Sequence, residues 1–124
     1  MSAVKHFNKN AGVFRWDSVE PKSLNVEGIA GVTKNILIGK DDEAPNSIMR
    51  FFWLEPGGHS RLETHPQEHE VIILHGKGTV QINDEIHKLK PYDVVFVSPN
   101  ELHQFKNDSD EPFGFICVIP IPKE

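Results

Sequence analysis

The chain has 124 residues, the size of one domain, which excludes a second. Eighteen acidic against thirteen basic residues give a net charge of −5, a poor surface for nucleic-acid phosphates, while 38% apolar residues suffice to fill a core. The longest uncharged apolar segment, 112–122, is far short of the roughly 20 residues of a membrane span, and the lone Cys117 has no internal disulfide partner, so a soluble, cytoplasmic protein is expected.

Nine Gly and nine Pro are spread along the chain and cut it into short pieces. Residues 11–40 read as N-terminal strands that pack on the main body or on a dimer partner. Ser47–Leu54 is β-branched and aromatic, and Glu55-Pro56-Gly57-Gly58 is expected to close it as a turn that no strand crosses. The pattern then recurs. Val71–Leu74 runs into His75–Gly78, Thr79–Ile82 into Asn83-Asp84, Ile86–Leu89 into Lys90–Asp93, and Val94–Val97 into Ser98-Pro99-Asn100. His103–Lys106 precedes Asn107–Asp110, and Phe113–Ile119 is ended by Pro120 and Pro122. Turns every eight to twelve residues, with no long segment of helical period, predict an all-β sandwich or barrel.

Phe113–Ile119 is apolar on both faces, with Phe113, Phe115, Cys117 and Ile119 on one and Ile116 and Val118 on the other. A barrel buries one face of each strand, so the second needs a cover. Either a homodimer or a draped N-terminal segment carrying Val13, Phe14 and Trp16 supplies it.

The chemistry concentrates in Glu63-Thr64-His65-Pro66-Gln67-Glu68-His69. On a strand, residues two apart share a face, so Glu63 and His65 point the same way. Pro66 breaks that strand, and His69 opens the next, with Val71 and Ile73 on its inward face. His103, at a turn-to-strand junction, can face them across a closed barrel. The i, i+4 spacing of His65 and His69 also suits two ligands on a helix, but the β-branched Val71-Ile72-Ile73 and the short span from Pro66 to Gly76 favour strands. His59, His75 and His87 lie outside the pattern and read as ordinary core or surface residues.

Pro56-Gly57-Gly58, Glu63-x-His65-x-x-x-His69, Gly76 and Pro99-x-x-x-His103-x-x-x-Asn107 resemble the two motifs of the cupin superfamily, over about residues 44–120. The chain is most similar to small manganese-binding cupins whose motifs read His-x-His-Pro-x-Glu-His-Glu and Pro-Asn-Glu-x-His-x-Phe-x-Asn. The resemblance implies a jelly-roll-like β-barrel, residues 1–124 as a single cupin domain, a homodimer, and one divalent metal held by Glu63, His65, His69 and His103. Those relatives carry four histidines, and Glu63 stands here for the first of them. Three His and one Glu remain a common cupin set, with two places exchanged.

The resemblance places Mn or Fe first, while imidazole and carboxylate donors would also accept Zn, Ni or Cu. Four protein ligands on an octahedral ion leave two positions open, and three neutral imidazoles with one carboxylate leave one net positive charge. A small anionic ligand is the expected partner, in a pocket lined by Arg50, Phe105, Phe115 and Cys117. Arg50 is either a buried partner for substrate or a solvated edge residue; Cys117 is either oxidisable or a small hydrophobe. The leading expectation is a metal-dependent oxidoreductase of dioxygenase type acting on a small anionic or electron-rich compound. The alternatives are a Lewis-acid isomerase or decarboxylase on a small acid or sugar, a non-catalytic binding module, and a purely structural metal.

Overall fold

The computed structural model describes residues 2–9 and 14–122. Among the described residues there are nine strands: β1 Lys22–Leu24, β2 Ala30–Ile38, β3 Ser47–His59, β4 His69–His75, β5 Gly78–Ile82, β6 Glu85–Leu89, β7 Val94–Val97, β8 His103–Lys106 and β9 Phe113–Pro120. The expected β7 and β8 coincide with the observed ones, and β4 opens at His69 as expected. Every pairing is antiparallel, in the order β6-β5-β8-β3-β9-β4-β7, with β2 on the free side of β3 and β1 beyond it. Among the described residues, no helix is long and apolar enough to cross a membrane.

The turn expected at Glu55–Gly58 is not the end of a strand. β3 runs through it to His59. Between the pairs Val32↔Leu54 and Ala30↔His59, β3 advances five residues while β2 advances two, so the sequence Glu55-Pro56-Gly57-Gly58 forms a bulge. The strand survives because its backbone groups find new partners: the Gly57 N–H donates to the Asn107 carbonyl (2.9 Å) and the Asn107 N–H to the Gly58 carbonyl (2.9 Å). Gly57 takes φ +82°, and a Cβ on Gly58 would lie 2.8 Å from the Glu55 carbonyl oxygen, so both glycines are required. The bend carries β3 from β2 and β9 to β8, and it turns the following segment toward the barrel interior.

Alternation then places the core. Leu54, Val71, Ile73, Val80, Val97, Phe113, Phe115 and Cys117 are all buried on the inner face. Phe51, on the opposite face of β3, is also fully buried. Phe14 stacks on it at 5.2 Å and 8°, Trp16 lies 5.1 Å away, and Trp53 stacks on His75. Phe14 and Trp16 therefore cover the outer face of β3, while Val13 lies outside the described residues. Gly114 makes room beneath: a Cβ there would approach Phe51 to 2.8 Å. The segment is tied down again where Lys5 pairs with Asp42 at 2.7 Å and donates to the Leu37 carbonyl. Asn107 closes the β8–β9 turn, donating to the Leu54 and Glu111 carbonyls and accepting from Ser109.

Candidate metal centre

Three histidines from separate parts of the chain converge. His69 opens β4 and His103 opens β8, both buried, and His65 sits on the connection between β3 and β4, where its carbonyl accepts the Asn100 N–H (2.8 Å). Because His69 pairs into the sheet, the helical alternative for its spacing with His65 does not apply. The three rings lie 4.7–4.8 Å apart, and one donor nitrogen from each falls within 4.8 Å of the others.

Residues 63–65 do not form the strand expected for them. Pro66 follows at once, and only Glu63 finds a partner, in an isolated bridge whose two N–H···O contacts with His103 measure 3.1 and 3.2 Å. Glu63 faces the same cavity as His69 and His103, while its carboxylate stays outside the group of three donors.

Hydrogen bonds from behind fix the imidazoles. The His103 Nδ1–H donates to the Glu101 carbonyl (2.9 Å), which leaves its Nε2 lone pair free. Glu101 is itself held by Asn83 Nδ2 at 2.8 Å. His69 Nδ1 lies 2.9 Å from Cys117 Sγ, which also accepts from Arg50 Nη2 at 3.1 Å. His69 Nε2 then meets His65 Nε2 at 2.9 Å. A contact this short holds either a proton, as in an N–H···N hydrogen bond from one ring to the other, or a shared cation. With metal–nitrogen bonds of about 2.1 Å, ligands at a right angle stand about 3.0 Å apart, so the spacing fits neighbouring ligands on one ion. His65 Nδ1 is buried without a partner.

Burial pushes the His69 pKa down to about 3, helped by His103, Arg50 and His65, so the ring stays neutral and keeps its lone pair at neutral pH. Burial raises the Cys117 thiol above its ordinary range against the opposing pull of Arg50. The sulfur is therefore a protonated acceptor for its two neighbours.

A cavity of about 210 Å³ opens against His69 and His103. Arg50, Phe105, Phe115 and Cys117 all line it, with Arg50 half-buried and its guanidinium 4.8 Å above the Phe52 ring. Lys34 and Arg61 line it too, and sequence reasoning missed both. Lys34 had a faint signal, a lysine alternating with Val32 and Ile36; Arg61 had none. His59 bonds the Ser60 carbonyl and His87 is exposed, both outside the site.

A β-barrel with three imidazoles converging at one end of its strands points to a class, and comparison with known proteins gives the family. Residues 50–119 match the model of the family described as Cupin domain, and the chain belongs to the cupin family. It is 34% identical over 109 residues, 86% of its length and 69% of the relative's, to 1-methylthio-D-xylulose 5-phosphate methylsulfurylase of Rhodospirillum rubrum. Two crystal structures are also similar. One, a cupin-2 domain protein of Rhodospirillum rubrum, has a TM-score of 0.83 at 30% identity, covering 91% of this chain and 76% of that one. The other, a cupin 2 conserved barrel domain protein of Rhodopseudomonas palustris, has a TM-score of 0.82 at 28% identity, covering 98% and 83%.

Proposed function

We propose that this cupin is a metal-dependent enzyme for a small, anionic carbonyl compound, with His65, His69 and His103 holding one divalent ion, Mn or Fe. The observation that carries this reading is the convergence of three imidazole donors, two of them lining a cavity whose wall also bears cations. An ion held by these three residues would supply Lewis acidity toward a substrate oxygen. The protein does the rest. Phe52, Phe105 and Phe115 exclude water from one side of the cavity, and Arg50 presents charge beside His69. Glu63, on the wall but apart from the three donors, accepts the proton that a polarised carbonyl compound gives up at its neighbouring carbon. The relative of Rhodospirillum rubrum supports a substrate of this kind, since its name specifies a phosphorylated sugar derivative.

A second reading, oxidative cleavage of dioxygenase type, draws support from the aromatic walls, which would shield reactive species from water. One experiment separates the two. Chelator-stripped protein is reloaded with Mn, Fe or Zn and mixed with small keto acids and ketose phosphates, while oxygen uptake is recorded. Turnover restored by a divalent ion without oxygen uptake is the expected result; stoichiometric oxygen consumption establishes the second reading; turnover unaffected by stripping overturns both.

A cytoplasmic homodimer completes the proposal. Exposed Val94 and Phe96 on the edge strand β7 support a second copy as their cover, and light scattering of the purified chain tests it.

A further inference from the structure

The cavity wall carries more positive charge than the three neutral imidazoles account for. Lys34 stands directly across from Phe52 on β3, and Arg50 follows on the same face two residues from Phe52. On the other side of Lys34, Lys22 of β1 is its direct cross-strand partner. Three adjacent strands thus place like charges side by side, an arrangement that is destabilising by itself. Burial, then Arg50, then Lys22 press the Lys34 pKa below the usual lysine range. Arg61 joins from the segment after β3.

Among the described residues, no ion pair neutralises this group: the ion pairs are Lys5–Asp42 and Lys90–Asp93, neither of them here. Arg61 donates to the Glu27 carbonyl and Arg50 to Cys117 Sγ, both uncharged acceptors, and Arg50 Nε is buried without a partner. Among the described residues, Glu63 is the one acid on the wall. Lys34, Arg50 and Arg61 against Glu63 leave a surplus of two positive charges, in a chain whose net charge is −5. A carboxylate would offset half of that surplus, whereas a phosphomonoester carries roughly 1.5 to 2 negative charges at neutral pH.

We propose that Lys34, Arg61 and Arg50 form a phosphoryl subsite that holds the phosphomonoester end of the substrate, while its carbonyl end lies against His65, His69 and His103. This rests on the proposed function and adds an anchor for the other end of the ligand, with Arg50, 3.5 Å from His69, between the two. Arg61 and Arg50 offer planar forks to the phosphoryl oxygens, and Lys34 a point charge. At about 210 Å³ the cavity is smaller than the roughly 300–1,000 Å³ of drug-sized pockets, so the ligand has only a few carbon atoms.

The test is calorimetric titration of the metal-loaded protein with glycerol 3-phosphate, glycerol and acetate at constant ionic strength, repeated on Lys34→Met, Arg61→Met, the double variant and Lys34→Arg. Glycerol 3-phosphate should bind at least tenfold more tightly than glycerol or acetate. Each Met variant should lose about tenfold and the double variant about a hundredfold, as lost charge-assisted contacts imply, with metal content unchanged. Lys34→Arg should retain most of the affinity, which shows that charge and not folding is at issue. Equal affinity in parent and double variant overturns the subsite, as does binding that vanishes on metal removal but ignores both Met substitutions. If the protein holds no metal and Lys34 still controls phosphate affinity, the metal reading fails and the subsite stands.

Discussion

The two sides of the cavity are built on opposite terms. On the β4–β8–β9 side, polar groups support one another: His103 leans on the Glu101 carbonyl, His69 on Cys117, and Cys117 on Arg50. On the β1–β2 side, Lys22 and Lys34 stand opposite each other with no carboxylate between them. In the proposed function the first side receives a cation, and in the proposed subsite the second receives an anion that relieves its like-charge repulsion. On the imidazole side, hydrogen bonds already hold His69 and His103 in place, while His65 Nδ1 stays unpartnered; on the cationic side, only the proposed anion would offset the repulsion.

The sharpest way to break this contrast is His103→Ala. It removes one of three imidazoles, and the purified protein should retain less than a tenth of the parent's metal by elemental analysis, with turnover lost. Parent-level metal in this variant would mean that the three rings are not the binding site. Glu63→Gln comes next. As the proton acceptor it should cost about 10²–10⁴-fold in turnover with metal content unchanged. A parallel loss of metal would instead make Glu63 the fourth ligand that the cupin motif implies.

The two sides also differ in how far the sequence exposes them. His65, His69 and His103 stand in two compact motifs, and the inward row His69, Val71, Ile73 follows from simple alternation. A pattern of that kind is local, so it can be read from neighbours along the chain. Lys34 is different. Its meaning depends on register with Phe52 and Lys22 across two strand pairs, which alternation alone does not fix. The continuation of β3 through Pro56-Gly57-Gly58 was hidden for a related reason, because the bulge depends on hydrogen bonds to Asn107, fifty residues on. Glu63 likewise shares a strand-like face with His65 only if the segment is extended for several residues, and Pro66 prevents that.

A smaller effect sharpens the comparison on the metal side. The His69 pKa of about 3 lies well under the ordinary 6.5, so between these values the unfolded chain takes up a proton that the folded chain refuses. The metal-free protein should therefore keep this contribution in full above pH 6.5 and lose it progressively as pH falls toward 3. Denaturant unfolding at pH 7 and pH 5 should differ by about 1–2 kcal/mol, and His69→Gln should show a shallower slope. An identical slope in the variant would assign the loss to other groups.

The smallest effect bears on the other side and has the opposite sign. Lys34 pays for its place in the sheet, since it is half-buried and repelled by Lys22 and Arg50. Replacing it with Met keeps the aliphatic stem that packs beside Phe52 and removes the charge. Cross-strand pairs contribute roughly 0.2–1 kcal/mol, so Lys34→Met should stabilise the ligand-free protein by about 0.5 kcal/mol. For a domain of this size that corresponds to a rise of about 2 °C in Tm, readable by differential scanning calorimetry. Added glycerol 3-phosphate should reverse the ranking, raising the Tm of the parent more than that of the variant, because only the parent keeps the full set of cations. A variant that is less stable than the parent in the absence of ligand would show that Lys34 serves the fold, and the contrast between the two walls would then disappear.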